Sequence, residues 1–471
     1  MPKNFYITTT LPYVNAPLHI GFALEIVQAD VIARYRRMQG DEVIFNTGTD
    51  EHGLKIYRIA LKESKNPQEY VDGYVEQFDR LKEALNLSYT NFIRTTDPNH
   101  KAAAQEFWKR CDTNGYIYKK NYKVKYCVGC ELEKTDSELE NGKCPIHPNL
   151  EIELIEEENY FFKFSEFQKP LLKFYKEHSD FVVPDFRFNE IKKFFEGGLQ
   201  DFSISRLKSK MPWGVPVPGD DEHVMFVWFD ALINYISTLG WPSDEKNFEA
   251  FWPGMQVAGK DNLRQQSAMW QAMLMAAGLP NSQQILIHGF ITANGEKMSK
   301  SLGNVVDPFD LVKRYGTDAV RYWLLRELNP FEDGDYNDAS MLARYNGDLA
   351  NNLGNLVSRV MKLKEKTTGA EEIDPVITKQ IETTTAQYHE AIKEFKFHEA
   401  LAKLWELYTF GNVYINEKAP WKTGDMVAVT STAHLIAQSA PLLEPFLPET
   451  AEKIKKSMLA PSASISLFPR L

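Results

Sequence analysis

Residues 295–304, GEKMSKSLGN, place two ammonium groups, Lys297 and Lys300, and two serine hydroxyls between glycines. Lysine carries a compact charge on a flexible stem, so the pair suits an adjustable clamp on a polyanion. A second anion candidate is His19, which stands with Gly21 at the mouth of a predicted helix in LPYVNAPLHIGFALE. A helix N-terminus attracts negative charge, and a glycine there lets the anion approach the backbone. A third set has the spacing of metal ligands: Cys127-x2-Cys130, thirteen residues, then Cys144-x2-His147. Three thiolates and one imidazole in this pattern suit a single tetrahedral, structural Zn2+. The remaining cysteine, Cys111 in FWKRCDTNG, is read as a small buried residue.

The elements that must position these groups alternate. Strand-like runs at 4–9, 42–47, 223–228, 255–258 and 284–288 are mostly followed by helix-like segments at 21–38, 67–85, 229–239 and 262–277. Strand and helix in alternation predict an α/β fold, a doubly wound parallel sheet of Rossmann-like type. Such sheets bind ligands outside the carboxyl ends of their strands, and polar or aromatic clusters follow each run. They are LPYVN, TGTDEHG with Asp50 and His52, WFDALINY with Trp228 and Tyr235, GKDNLR, and HGFITANGEKMSKS. Taken singly, His19 reads equally as a helix cap, Asp50 as a turn residue, and Trp228 or Tyr235 as core. Their shared place at one end of one sheet favours a site. Neither GxxxxGK[ST] nor GxGxxG occurs, which excludes a P-loop and gives no sign of a dinucleotide fold. The alternation breaks between about 115 and 222, and from about 345 the pattern is helical only.

Composition narrows the classes. A formal charge of −10 argues against indiscriminate nucleic-acid binding while leaving room for local basic patches. Four cysteines without a secretory leader suit a reducing cytoplasm. The apolar stretch 427–447 is interrupted by His434, Gln438, Pro441 and Glu444, so no membrane span is expected.

PLHIGF is similar to the HIGH signature, and KMSKS matches the second signature, of class I aminoacyl-tRNA synthetases. The ordered set LPYVN, TGTDEHG, ISRLKSKMPWGVPVP, VWFDALINY, GKD and IHGFITANGEKMSKS resembles the methionyl-tRNA synthetase family in particular. The resemblance implies ATP-dependent activation of L-methionine to methionyl-adenylate, with release of pyrophosphate, then transfer to the 3′ end of tRNA(Met). ATP would enter with Mg2+. It implies that His19, Lys297 and Lys300 are catalytic, and that Gly21, Gly259 and Asp261 join them in binding ATP. The methionine pocket would be Leu11, Tyr13, Asp50, Trp228, Ala231, Tyr235 and His288, with Asp50 receiving the substrate ammonium. Asn355, Arg359 and Trp421 would read the anticodon; the plain alternatives are a solvated basic face for Arg359 and local packing for Trp421.

The implied organisation is a catalytic domain at 1–115 and 223–290, split by a zinc-bearing connective insertion at 116–222. A lysine-loop and stem-contact fold at 291–345 follows, then an α-helical bundle at 346–471 that binds the anticodon. The chain lacks the added C-terminal domain that dimerises some relatives, so a monomer is expected. Two positions depart from the pattern. Phe22 replaces the second histidine of HIGH and has nothing to donate to a phosphate, and Leu232 stands where some members carry proline. The same residues admit three rival readings. They are another class I ligase, a nucleotidyltransferase with a similar histidine and lysine loop, and a tRNA-binding protein whose catalytic site has decayed.

Overall fold

The computed structural model describes residues 3–15, 18–298, 303–365, 372–459 and 466–471. Contacts divide the chain into two compact units that interleave in sequence. One comprises 1–17, 42–79 and 89–287; the other comprises 18–41, 80–88 and 288–471.

The first unit is built on a six-stranded sheet. Its order is Asn91–Arg94, Glu42–Thr49, Asn4–Thr9, Met255–Gly259, Gln284–His288, Val182–Val183. Asn4–Thr9 pairs in parallel with both Glu42–Thr49 and Met255–Gly259. The central strands are buried along nearly their whole length, which is why they read as continuous apolar runs without alternation. Chain order runs outward from Asn4–Thr9 through Glu42–Thr49 to Asn91–Arg94 on one side, and from Met255–Gly259 to Gln284–His288 on the other. That junction is the switch point, where a crevice opens beyond the carboxyl ends.

The expected strand at 223–228 is placed differently. Asp220–Met225 joins Pro216–Val217 and Ser205–Leu207 in a separate antiparallel sheet, and the chain then turns at Phe226 into the short helix Val227–Ala231. An apolar run records burial but not the partner that causes it. The places left in the parallel sheet are filled by Asn91–Arg94 and by Val182–Val183 from the expected insertion. The rest of that insertion carries the antiparallel sheet Leu132–Lys134, Ile117–Cys127, Glu153–Phe162, Phe202–Ser203. In its long central pair Lys123 stands opposite Glu156, and Lys123 Nζ meets that carboxylate at 3.0 Å.

The second unit joins the helix Ile20–Met38, a three-stranded sheet of Glu296–Lys297, Ile291–Ala293 and Gly334–Tyr336, and a helical bundle. Asp30, fully buried, accepts from Arg34 and Arg321 at 2.8 Å each and from the Ser88 amide at 2.7 Å. Burial alone would raise this carboxyl, but the two guanidinium groups hold it below the ordinary range. The bundle contains Asn355–Lys364, Pro375–Lys393, Phe397–Lys418, Met426–Leu443 and Pro448–Leu459. By length and composition Met426–Leu443 could cross a membrane, yet 61% of it is buried against the other bundle helices. Its apolar surface is core.

Candidate functional site

A cavity of ≈ 370 Å³ lies in the first unit at the switch point. The segment leaving Asn4–Thr9 supplies Leu11, Tyr13 and Asn15, and the segment leaving Glu42–Thr49 supplies Asp50. The helical turns at 227–235 supply Trp228, Ala231, Leu232 and Tyr235; Asp261, Gln265 and Gln266 follow Met255–Gly259. Leu11, Tyr13, Asp50, Trp228, Ala231, Tyr235 and Asp261 are therefore brought together as the sequence predicts. Gly259 ends its strand just before them. Among the described residues, Asp50 Oδ1, Trp228 Nε1 and Gln265 Oε1 are buried without a hydrogen-bond partner. All three lie on one cavity, where a ligand could complete them.

Asp50 is the chemical centre of this cavity. Burial raises its pKa well above the ordinary carboxyl value, and the nearby Asp230, Glu131 and Glu51 charges push the same way. A cation brought next to Asp50 would relieve both effects. Tyr13 is held by its hydroxyl, which donates to Glu131 Oε1 at 3.1 Å. The same carboxylate oxygen accepts from the Lys55 amide at 2.8 Å.

The side chain hydrogen-bonded to Tyr235 was not anticipated. It is Gln266, whose Nε2 donates to the phenol oxygen at 2.7 Å. The direction of this bond is set from a distance. The Ser282 amide can only donate, so Gln271 Oε1 accepts it at 3.1 Å and Gln271 Nε2 donates to Ser282 Oγ, also at 3.1 Å. Ser282 Oγ then donates to Gln256 Oε1 at 2.9 Å, and Gln256 Nε2 to Gln266 Oε1 at 3.1 Å. The buried chain orients every amide. The helix expected over 262–277 contains a π-helical turn at Gln265–Met269, and this irregularity carries both Gln265 and Gln266. His288, expected with Tyr235 to give the methionine pocket its polar contacts, ends the strand Gln284–His288. His288 belongs to the second unit, where its ring nitrogens meet Gly289 O at 2.7 Å and Glu25 Oε2 at 3.0 Å.

The anion-binding candidates lie in the second unit. His19 is the N-cap of Ile20–Met38 and accepts from the Gly21 amide through Nδ1 at 3.1 Å. A Cβ on residue 21 would stand 3.0 Å from two atoms of that ring, so glycine makes room for the cap. Nδ1 is an acceptor, hence the neutral ring carries its proton on Nε2 and can still donate one hydrogen bond. The ring reaches solvent, yet desolvation lowers its pKa, which favours this neutral form. Capping and anion binding are thus compatible uses of one side chain.

Met298 of KMSKS comes within 3.9 Å of the position a Gly21 Cβ would take, and the Ile20 amide donates to Val306 O at 3.0 Å. Both flanks of the lysine loop therefore meet the start of the His19 helix. Lys297 is paired through its backbone with Thr292, while Lys300 lies outside the described residues. Phe22 follows in the first turn, half-buried, and its amide donates to His19 O at 3.0 Å.

The cysteine pattern closes into one cluster. One ligand atom each from Cys127, Cys130, Cys144 and His147 all lie within 4.8 Å of one another. Cys130 Sγ is 3.5 Å from Cys144 Sγ and 3.2 Å from His147 Nδ1. Four ligands about 2.3 Å from a tetrahedral ion stand roughly 3.8 Å apart, so the donor set fits a metal. Gly129 is required here, since a Cβ on it would fall 2.5 Å from the His147 ring. Cys111, as expected, is buried.

In the helical bundle, Arg359 and Trp421 meet. The guanidinium carbon is 5.9 Å from the Trp421 ring centroid, and Arg359 Nη1 donates to Asn416 Oδ1. With Lys362 and Leu363 they line an open cavity of ≈ 360 Å³. Trp421 is 48% exposed, which is unlike a packing residue. Asn355 is also exposed, one turn before Arg359 on the same helix. Asn416 was missed, and an uncharged asparagine in INEKAPW carries no sequence signal of its own.

Comparison with known proteins places these features in a family. Residues 5–151 and 130–361 match the family described as tRNA synthetases class I (M), and residues 365–466 match the anticodon binding domain of methionyl tRNA ligase. The chain is 42% identical to the methionine–tRNA ligase of Thermotoga maritima, across 96% of this chain and 74% of that protein. It is 42% identical to that of Thermosynechococcus vestitus, across 96% and 90%. Among solved structures it is similar to Mycobacterium tuberculosis methionyl-tRNA synthetase in complex with methionyl-adenylate. That match has a TM-score of 0.92 and 35% identity, covering 99% of this chain and 97% of that one.

Proposed function

This chain belongs to the class I methionyl-tRNA synthetases, and from that premise we infer how its own residues carry out methionine–tRNA ligation. The reaction has two steps. The methionine carboxylate attacks the α-phosphate of ATP and pyrophosphate leaves; then a hydroxyl at the 3′ end of tRNA(Met) attacks the acyl carbon and AMP leaves.

One observation carries the reading: a buried carboxyl, Asp50, without a partner on Oδ1, in an aromatic cavity at the switch point. Asp50 receives the α-ammonium of methionine. Leu11, Tyr13, Trp228, Ala231 and Tyr235 surround the thioether side chain, which makes favourable contacts with aromatic rings. Gly259 and Asp261 hold the adenosine. His19, through Nε2–H, and Gly21, at its helix start, bear on the phosphates with Lys297, Lys300 and the Mg2+ that accompanies ATP. No general base is required, because the carboxylate is already the nucleophile. Phe22 contributes no hydrogen bond to the phosphates, so His19 and the lysines carry that role. Gln266 fixes Tyr235, and His288 is the further polar residue of the methionine-binding set.

Cys127, Cys130, Cys144 and His147 would hold one Zn2+, which would supply no reaction chemistry and would pin the small module they belong to. Metal analysis of protein purified without chelator should return one zinc per chain; none would refute the assignment. The enzyme works in the cytoplasm, where ATP and tRNA are supplied.

For the second step, Trp421 and Arg359 offer an aromatic ring and a guanidinium plane to bases of a single-stranded loop, with Asn416 beside them and Asn355 one helical turn before Arg359. The experiment is to offer the protein ATP, all twenty amino acids and total tRNA, then identify the esterified pair by mass spectrometry. Methionine on CAU-bearing tRNA is expected. Loss of one stacking partner costs about 1–3 kcal/mol, so Trp421→Ala should lower this charging roughly ten- to a hundredfold. Tests of the variant without tRNA should show unchanged methionine activation. Equal damage to both would make Trp421 a packing residue.

A further inference from the structure

His52, Asp230 and His100 form a buried carboxylate–imidazole cluster in the first unit that none of the roles above uses. Asp230 Oδ2 meets His52 Nδ1 at 2.6 Å, and Oδ1 meets His100 Nε2 at 2.8 Å. An ionised carboxylate only accepts, so each facing nitrogen carries a proton. Burial would raise Asp230, but the two histidines hold it down at about 2. His100 continues to Ser237 Oγ at 2.9 Å, and the His52 ring stands edge-on to Trp213 at 5.5 Å between centroids. Side-chain exposure in the cluster is 2% for His52 and 0% for Asp230 and His100.

The cluster's place in the chain gives it a use. His52 is two residues beyond Asp50, while Asp230 lies between Trp228 and Ala231 on one helical turn. Asp50, Trp228 and Ala231 all line the methionine cavity, so the Asp230–His52 bond ties one wall to another behind the lining. Between them Glu51 is fixed separately, by Arg94 at 2.7 Å and by Thr96 Oγ1. Asp50 is thus the member of the TDEH run that faces the cavity, between neighbours that are anchored in protein.

We propose that Asp230, acting through His52 and steadied by His100, is a positioning residue of the ammonium subsite. It holds the Asp50 segment against the Trp228 turn and keeps a fixed negative charge behind Asp50. The proposal rests on the reading of Asp50 as the ammonium acceptor. The charged and titratable groups that face Asp50 are Asp230, Glu131, Glu51 and Tyr13; Lys55, Tyr235, Asp261, Cys130 and His147 line the same cavity, and the His52 amide donates to Asp50. Of these, Asp230 follows burial as the largest influence holding the Asp50 proton in place.

The test is calorimetric titration of the full chain with L-methionine, without ATP, over a range of pH. Affinity for the parent falls on the acid side as Asp50 takes up its proton. Asp230→Asn keeps the shape and removes the charge, so this acid limb should move to lower pH by about one unit. A residue that only supported the fold would weaken binding at every pH and leave the limb in place. A limb left in place therefore overturns the proposal. Should Asp230→Asn fail to fold, His52 carries the test. His52→Ala should weaken methionine binding several-fold, and His52→Asn, whose Nδ2 can stand where the imidazole Nδ1 stood, should restore most of it. Equal affinities in these two variants overturn the link. Asp50→Asn separates the premise from the proposal. If it binds methionine like the parent, the ammonium reading falls; if it loses binding while Asp230→Asn keeps the parental limb, only the role of the cluster falls.

Discussion

Asp50→Asn is expected to weaken methionine binding by roughly thirty- to several-thousandfold. Removing one partner of a buried, hydrogen-bonded charge pair costs about 2–5 kcal/mol, because the other charge is left without compensation. Here the stranded charge would be the substrate ammonium, in a cavity whose Asp50 is only 7% exposed. The sign of the pH dependence follows from the raised pKa of this carboxyl, caused first by burial and then by Asp230, Glu131 and Glu51. Below that raised value Asp50 is protonated in the free protein, and the ammonium must displace a proton to bind. Affinity is therefore full above the raised pKa and falls about tenfold per pH unit below it. The asparagine variant should show no such limb. Parental affinity in Asp50→Asn would mean that the ammonium is held elsewhere.

Lys300→Ala is expected to slow methionine activation by roughly a hundredfold or more, while methionine binding without ATP stays at the parental value. Departure of pyrophosphate builds negative charge, and one preorganised donor aimed at such charge is worth about 3–4 kcal/mol. The structural support is the anchoring of the loop. Met298 on one side and Val306 on the other both reach the start of the helix capped by His19, which is itself a candidate phosphate donor. A Lys300→Ala protein as fast as its parent would reduce KMSKS to a surface loop.

Much of this was legible in the sequence, for physical reasons that can be named. Central parallel strands are buried on both faces, so 4–9, 42–47, 255–258 and 284–288 stood out as apolar runs and all belong to the sheet. Cysteine and histidine at ligand spacing have few other uses, and Cys127, Cys130, Cys144 and His147 do converge. The i, i+4 spacing of Asn355 and Arg359 is a local property of a helix and survives into the fold. Where residues act through distant partners, the sequence was silent. HVMFVW looked like a parallel strand because burial in either kind of sheet produces the same run. Gln266 carries no charge and sits in an apolar helix, so nothing marks it until Gln256, Gln271 and Ser282 are seen to orient it. His52, His100 and Asp230 come from three separate segments, and only folding makes them a cluster.

The central claim is that this cavity selects methionine for adenylation, and it is tested most directly by amino-acid-dependent exchange of label between pyrophosphate and ATP. Each of the twenty amino acids is supplied in turn to the parental protein with ATP and Mg2+. Exchange is expected with methionine, and background rates with the other nineteen. Exchange driven by leucine, cysteine or another amino acid in methionine's place, or by none, would contradict it.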